Sequence, residues 1–188
     1  MNYNKKNNLV GWVVFGIATL VYLMTVERTV SFWDCGEFIL AANELQVVHP
    51  PGAALFLLIG RVFSLFSFGD STKVALTINV LSALCSSFTV LFLFWTITAF
   101  AKKLVLKIED TLTDTNTYAI LGAGIVGALA YAFSDSFWFS AVEGEVYAMS
   151  SLFTAAVIWG IMKWEVGRPI IGLVKFLLLN FLPLYHSG

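Results

Sequence analysis

The stretch LVGWVVFGIATLVYLMTV, from Leu9 to Val26, carries no charge and is about 18 residues long, enough for one helix to cross a bilayer. Lys5 and Lys6 precede it, as in a signal peptide, but residues 27–30 lack the small-x-small pattern of a cleavage site. We therefore interpret the stretch as a retained membrane anchor. The composition agrees, because 59% of the 188 residues are hydrophobic and 12% are charged, against roughly a quarter charged in soluble domains. The sequence predicts an integral membrane protein.

Charge and motif content argue against several other classes of protein. The formal net charge is -1, and no basic patch accompanies the aromatic residues, so the sequence gives no support for nucleic-acid binding. It contains neither a nucleotide-binding loop nor a nucleophile elbow. Cys35 and Cys85 show neither metal-ligand spacing nor the pattern of a disulfide framework. We expect lipid and protein partners instead.

Further apolar stretches continue along the sequence and predict an all-α, polytopic helical membrane fold. We treat residues 1–188 as a single transmembrane module. Lys175 and Pro183 make the last stretch, 169–185, an unfavourable candidate for a membrane span. The predicted spans are about 9–26, 74–100, 118–133 and 149–164, with 169–185 as a candidate fifth, and the predicted outer segments are 31–68 and 134–148.

Positive charges predict the orientation, because cytoplasmic loops collect Lys and Arg near the ends of spans. Lys5 and Lys6 place the N-terminus inside, whereas residues 134–147 contain three acids and no base and are placed outside. The stretch 53–68 must then begin and end on the outer side, so we expect it to be interfacial or re-entrant. Arg61 within it agrees, since a cation can snorkel at an interface. The other cytoplasmic ends are marked by Lys102, Lys103, Lys107, Lys163 and Arg168.

Pro50 and Pro51 divide the first outer segment, because each fixes φ and disfavours helical geometry in the residue before it. We expect one short helix from Phe38 to Val47. A second helix should begin at Pro51, where the missing N–H costs nothing. The first outer loop is therefore predicted to contain two interfacial helices.

The densest polar cluster lies in SFWDCGEFILAANELQVVHPPG, at 31–52. Asp34 and Glu37 are three residues apart, so on a helix they share one face and could serve one reacting centre. Such carboxylates can deprotonate a hydroxyl, bind a divalent metal, or only cap and anchor a helix. His49 could stabilise the turn or contact a substrate phosphate or hydroxyl. Arg61 could snorkel or pair with a lipid phosphate.

The second outer segment repeats the combination of acids and aromatics. Glu143 and Glu145 share a face only in an extended segment, whereas Glu143 and Tyr147 share a face on a helix. Because both acidic segments lie on the same predicted side of the membrane, we predict a cleft between them.

A row of polar residues lies within the predicted span 74–100. We interpret the row as helix–helix packing rather than an ion pathway, because the span has no acid or base at its middle. Its members are Thr77, Asn79, Ser82, Ser86, Ser87 and Thr89.

Two stretches carry a resemblance to a known family, FWDCGEFILAANELQVVHPPGAALF from Phe32 to Phe56 and SFWFSAVEGEVYAMSSLF from Ser136 to Phe153. With the order of spans and loops around them, they resemble the N-terminal part of GT-C membrane glycosyltransferases. The chain is most similar to the bacterial protein O-mannosyltransferase-like family, over about residues 9–165. Members of that family continue with further spans, so we expect this chain to be the N-terminal part of a longer enzyme.

The resemblance implies transfer of a mannose-like sugar from a polyprenyl-phosphate donor to a protein Ser or Thr hydroxyl on the outer face. Asp34 corresponds to the general base of the first outer loop, with Glu37 as its helper, and Glu143 or Glu145 to the second outer acid. No cofactor is required with certainty, and a divalent metal stays an open alternative. We expect a bacterial inner-membrane protein with periplasmic acidic loops. The residues expected to bind substrate are His49 and Arg61 near the donor phosphate, with Trp33, Asn43 and Tyr147.

Two other functions stay open from the sequence. The chain could be a non-catalytic helical subunit or scaffold of a membrane complex, with a membrane protein as its partner. A small transporter is the weaker alternative, because the acids cluster at one surface rather than along the spans.

Overall fold

The computed structural model describes residues 2–50 and 52–167, and the regular secondary structure in this part of the chain is helical throughout. The predicted all-α class is therefore confirmed. The candidate span 169–185 lies outside the described residues. The helices are α1 (Tyr3–Thr25), α2 (Cys35–Glu44), α3 (Ala54–Ser64), α4 (Val74–Ile108), α5 (Asp114–Ala132), α6 (Asp135–Val142) and α7 (Val146–Gly167), with short 3-10 turns at Leu65–Ser67 and Ser71–Lys73.

Three of these helices are long and apolar enough to cross a membrane, namely α1, α4 and α7. Helices α5 and α6 meet both conditions, length and apolar composition, only when taken as a pair, which is bent by 68° between Ala132 and Asp135. The prediction of a helical membrane protein is confirmed by these lengths and compositions. Helix α4 is the central one, because 61% of its apolar window is buried within the protein, against 22% for α1 and 17% for α7.

Glycines allow close contact between α4 and the helices on either side of it. A Cβ at Gly124 of α5 would lie 2.5 Å from Thr98 Cγ2 and 2.8 Å from Phe94 Cε2. A Cβ at Gly11 of α1 would lie 2.6 Å from Trp95 Nε1. Small residues at such crossings let helix backbones approach, which is a main source of association in membranes. These contacts fix the positions of α1 and α5 on α4.

A second apolar cluster lies beneath the first outer loop, where α2 and α3 pack against the first turns of α4 and α7. Fully or nearly fully buried side chains from all four helices meet there, so the loop is a packed layer rather than a free connection. The cluster includes Cys35, Phe38, Ile39, Ala42, Phe56, Leu57, Ile78, Leu81 and Met149.

The two helices of this loop differ in their bounds from the sequence prediction. Helix α2 begins at Cys35 and ends at Glu44, three residues earlier at each end than the predicted Phe38–Val47. It ends because Leu45 adopts the left-handed conformation, with φ 54°, and donates its N–H to the Ala41 carbonyl. The second helix begins at Ala54 rather than Pro51, after a turn in which Gly52, at φ 82°, donates its N–H to the His49 carbonyl. The prediction of Pro51 as a helix start was therefore wrong.

The packing of α5 on α4 gives the first testable prediction. Gly124→Ala should lower the free energy of unfolding in detergent micelles by about 1–3 kcal/mol, because Phe94 and Thr98 are fully buried and cannot yield to the new methyl group. Gly122→Ala is the matched control on the same helix, since no described atom lies within 4 Å of its Cβ position. We expect this control to be neutral or up to about 1 kcal/mol more stable. Equal effects of the two substitutions would contradict the close contact.

Candidate functional site

The two acidic segments meet at a cleft of about 440 Å³ on the end of the helix bundle where α2 begins and α7 begins. The cleft contains polar and aromatic groups from both segments. It brings together five of the nine residues predicted from the sequence, which are Trp33, Asp34, His49, Glu145 and Tyr147; Phe38, Gly52 and Val146 complete the lining.

Asp34 enters the cleft from the N-cap position of α2. An aspartate at this position often accepts a hydrogen bond from the first turn, but within the described chain the Asp34 side chain makes no such capping bond. The carboxylate is exposed and is therefore available to a ligand. Trp33 before it has a positive φ of 67° and is 91% exposed, so the backbone holds a strained conformation that extends the indole into solvent or lipid at the mouth of the cleft.

Glu37 binds His49 through both of its carboxylate oxygens. Oε1 accepts the backbone N–H of His49 at 2.7 Å, and Oε2 lies 2.8 Å from Nδ1 of the same residue. The His49 ring also packs against Phe38, with 5.9 Å between ring centroids. Glu37 thus fixes the turn that carries His49. Among the described residues, no direct contact between Glu37 and Asp34 supports the predicted role of Glu37 as a helper of Asp34.

The contact between Glu37 and His49 shifts the pKa of each side chain in the direction that favours an ion pair. The side-chain hydrogen bond from His49, followed by its backbone N–H, lowers the pKa of Glu37. The hydrogen bond to Glu37, followed by the charges of Glu37 and Asp34, raises the pKa of His49. The cleft therefore contains one imidazole that holds its proton more strongly than an ordinary histidine.

Glu143 and Glu145 lie in the non-helical connection between α6 and α7. The Glu145 N–H donates to the Glu143 carbonyl at 3.0 Å, which forms a tight turn. Of the two glutamates, Glu145 lines the cleft and Glu143 lies beside it. Partial burial, followed by the negative charges of Glu143 and Asp34, raises the pKa of Glu145.

Arg61 and Asn43, both predicted to bind substrate, lie at the opposite end of α2 from Asp34 and outside the described lining of the cleft. Arg61 Nη1 donates to the Asn43 carbonyl at 2.5 Å and lies 3.4 Å from Asn43 Oδ1. Arg61 binds at this end of α2 because the last carbonyls of a helix lack intrahelical donors. A cation there also interacts favourably with the helix dipole. Their contacts join α3 to α2. The distance from Asp34, on the order of 15 Å for a ten-residue helix, separates them from the cleft.

Asn79 and Cys35 lie outside the set of predicted site residues, yet both make buried contacts next to the acidic segments. Asn79 of α4 is fully buried and donates to the carbonyls of Glu27 and Thr29, at 2.7 and 3.2 Å. Cys35 Sγ donates to the Gly144 carbonyl at 3.7 Å. The signal in the sequence is an asparagine within an otherwise apolar span, which the pattern alone assigns to helix packing.

Among the side chains that the structure describes, in residues 2–50 and 52–164, no three His, Cys, Asp or Glu groups are placed to hold one metal ion. The described cleft offers two carboxylates and one imidazole that is already bound to Glu37.

The chain resembles known proteins over the same two segments. A family model described as the Protein O-mannosyl-transferase TMEM260 N-terminal domain matches residues 34–178. The chain belongs to this family. It is 29% identical over 156 residues to Protein O-mannosyl-transferase tmem260 of Dictyostelium discoideum, and 30% identical over 153 residues to Protein O-mannosyl-transferase TMEM260 of Mus musculus.

These alignments cover 82% and 81% of the chain but 17% and 19% of the two relatives, so the chain spans under a fifth of the proteins that it matches. No solved structure matches it. The expected resemblance to a protein O-mannosyltransferase family is confirmed. The two relatives come from a slime mould and a mouse, and the expected bacterial origin stays a prediction.

The Glu37–His49 pair gives the second prediction. Glu37→Gln should lower the pKa of His49 toward the ordinary value of about 6.5, because it removes the negative charge that stabilises the imidazolium. An NMR titration of the His49 ring in detergent micelles, assigned with a His49→Ala variant, measures this. Glu44→Gln is the control, since Glu44 accepts a hydrogen bond from Asn43 near the other end of α2.

The pH dependence of the pair follows from the two directions. Because the pKa of His49 is raised, the His49 side of the ion pair contributes its full stability below the ordinary histidine pKa. That contribution is lost as pH rises through the pKa of His49 in the folded protein. The lowered pKa of Glu37 means that the ion pair is also lost as pH falls through that residue's folded value. An unchanged His49 pKa in Glu37→Gln would contradict this account.

Proposed function

We propose that this chain is the N-terminal module of a protein O-mannosyltransferase, in which the cleft transfers mannose from a polyprenyl-phosphate donor to a Ser or Thr hydroxyl. One observation carries the proposal. Asp34, His49 and Glu145 come from segments more than 90 residues apart in sequence and line one cleft, in a chain that belongs to a family named for this activity.

The cleft faces the outer side of the membrane in this proposal. Lys102, Lys103 and Lys107 follow the long apolar part of α4, at the end opposite the cleft, and such residues collect on the cytoplasmic side. Lys6 lies on that same side and forms an ion pair with Asp114 at 3.3 Å. The N-terminus is then cytoplasmic, and the acidic segments face the compartment in which lipid-linked sugars are consumed.

Asp34 is the general base of the proposed reaction. Its exposed carboxylate accepts the proton of the acceptor hydroxyl as the hydroxyl oxygen forms a bond to the anomeric carbon of mannose. The bond between that carbon and the donor phosphate oxygen breaks, and the electron pair leaves with the polyprenyl phosphate. Since phosphate is a good leaving group, the protein chiefly supplies a base, orientation and charge stabilisation.

His49 stabilises the phosphate in this scheme. It is the basic side chain in the described lining of the cleft, and Glu37 both orients the ring through Nδ1 and favours its protonated form. A hydrogen bond from the imidazolium to the phosphate becomes stronger as negative charge develops on the leaving group. Glu37 therefore acts through His49 rather than beside Asp34.

Glu145 and the aromatic residues hold the two substrates. Partial burial, followed by the charges of Glu143 and Asp34, raises the pKa of Glu145, so this carboxyl takes up a proton more readily than an ordinary glutamate and can then donate a hydrogen bond to the donor. The exposed side chains of Trp33 and Tyr147 provide flat surfaces for the sugar or the acceptor peptide. Phe32 beside the cleft is 88% exposed, and an apolar side chain in that position suits contact with a lipid-linked donor at the membrane surface.

Substitution of the proposed base tests the function. Asp34→Asn should lower the rate of transfer by about 10²–10⁴-fold without loss of membrane insertion, because the amide keeps the shape but cannot accept the proton. The assay supplies native membranes containing the protein with polyprenyl-phosphate mannose and an acceptor peptide. Asp135→Asn is the matched control, because Asp135 lies in the second acidic segment but outside the described lining of the cleft.

Two results would overturn this proposal. Full transfer by Asp34→Asn would remove the base assignment. If the unsubstituted protein shows no transfer and instead purifies with a stoichiometric membrane protein, the chain is a non-catalytic subunit.

A further inference from the structure

We propose that Asn79 is a positioning residue that holds the two acidic segments together and so sets the spacing of Asp34 and Glu145. The inference rests on the proposed function for its catalytic consequence. Its structural part, a closed joint between the segments, stands on the contacts of Asn79 and is tested separately.

The Asn79 amide attaches to α4 the connection that leads into the first acidic segment. Both hydrogen bonds from Nδ2 go to backbone carbonyls of the connection that follows α1, those of Glu27 and Thr29. This connection leads within a few residues to Asp34 at the start of α2. The carbonyls lie outside regular helix, so the asparagine supplies donors that helical structure would otherwise provide.

The other face of the same side chain contacts the second acidic segment. A Cβ at Gly144 would lie 2.7 Å from Asn79 Oδ1, 3.2 Å from Ile39 Cγ1 and 3.3 Å from Ile78 Cγ2. Gly144 separates Glu143 from Glu145, and only a glycine allows the backbone to approach this closely. The amide of one buried residue thus lies between the chain segments that carry the two sets of acids.

Two direct contacts close the joint around Asn79. The Glu27 N–H donates to the Val142 carbonyl at 3.0 Å, and Cys35 Sγ donates to the Gly144 carbonyl at 3.7 Å. The first contact joins the connection before Asp34 to the second acidic segment, and the second contact joins the start of α2 to that segment. Together with the Asn79 bonds they surround one buried point between the segments, so we expect loss of the asparagine to weaken the other contacts too.

The burial of Asn79 is difficult to explain as helix packing alone. An apolar side chain would fill the space without the cost of placing an amide in a span, which is substantial when the amide lacks partners. Here two donors are satisfied by the connection to Asp34, whereas Oδ1 has no hydrogen-bond partner within the described residues. The Asn79 side chain thus fixes the position of the connection, although its own Oδ1 is left without a hydrogen bond from the described part of the chain.

A catalytic cleft assembled from two segments is sensitive to their spacing. Misplacement by about 1 Å can cost on the order of 100-fold in rate, because a base must reach the proton that it accepts while the donor stays aligned. Asn79 lies outside the described lining of the cleft and touches neither substrate in the proposed scheme. Its loss should therefore lower kcat, with little change in KM.

Cys35 is a native reporter of the joint. The chain has two cysteines, so in a Cys85→Ala background Cys35 is the sole thiol. Cys35 is fully buried against Gly144, and burial raises the pKa of its thiol, so reaction with a membrane-impermeant maleimide should be slow. Opening of the joint exposes the thiol to reagent from the outer side.

The experiment compares Cys35 labelling rates in this background. Asn79→Ala should raise the rate about tenfold, and Gly144→Ala should raise it too, because the new methyl group separates the segments while the Asn79 donors stay in place. Tyr22→Phe is the matched control, since it removes another buried hydrogen bond between elements, from the Tyr22 hydroxyl to the Ala132 carbonyl at 2.8 Å. The rate in Tyr22→Phe should stay as in the parent.

Transfer kinetics then test the positioning role. Asn79→Ala and Gly144→Ala should each lower kcat by about 10–100-fold, with KM for donor and acceptor within about twofold of the parent. A labelling rate in both variants equal to that of Tyr22→Phe would overturn the closed joint, even if the parent proves inactive. If Asn79→Ala does not fold, Gly144→Ala alone decides. Faster labelling with unchanged kcat would overturn the positioning role and leave the proposed function intact.

Discussion

Burial of helix α4 by its neighbours is the constraint on which the rest of the structure depends. At 35 residues the helix is about 52 Å long, which exceeds the roughly 30 Å thickness of the hydrocarbon core. One end of α4 therefore carries the basic residues on one side of the membrane, and the other end extends into the layer formed by α2 and α3. The same helix fixes α1, α5 and α7 and contributes Asn79, so membrane packing and cleft assembly are parts of one arrangement.

The outer layer is built from short elements that cannot be stable alone. Helix α2 has ten residues and α3 has eleven, below the length at which isolated helices persist in water. Their stability comes from the apolar cluster shared with α4 and α7 and from Arg61, which binds the last turn of α2. Arg61 thus has a structural role at the end of α2. A cation at the end of α2 stabilises the scaffold that holds Asp34 at the other end.

The sequence predicted what depends on composition and local pattern, and it failed where tertiary contacts decide. Apolar runs and lysines indicated the helices and a common side for Asp34 and Glu145, because burial in a membrane follows hydrophobicity directly. The bounds of α2 were wrong, since Leu45 adopts a left-handed conformation that no glycine signals. The hydrogen-bond partners of Glu37 and Arg61 could not be predicted from the sequence either. Each lies 12 or more residues away, and only the packing of the loop brings them together.

The charges in the cleft connect its architecture to the donor it is proposed to bind. The described lining contains the carboxyl groups of Asp34 and Glu145 and the imidazole of His49, so a phosphate anion would meet two acidic side chains and one basic side chain. Proton uptake by Glu145 removes one of these negative charges, and its raised pKa makes that uptake easier than for an ordinary glutamate. Burial of Glu145 contributes most to that shift, and the charges of Glu143 and Asp34 add to it because the two acidic segments lie close together. The spacing of the two segments therefore affects both parts of the proposed function, the position of the proposed base and the charge that the donor phosphate would meet.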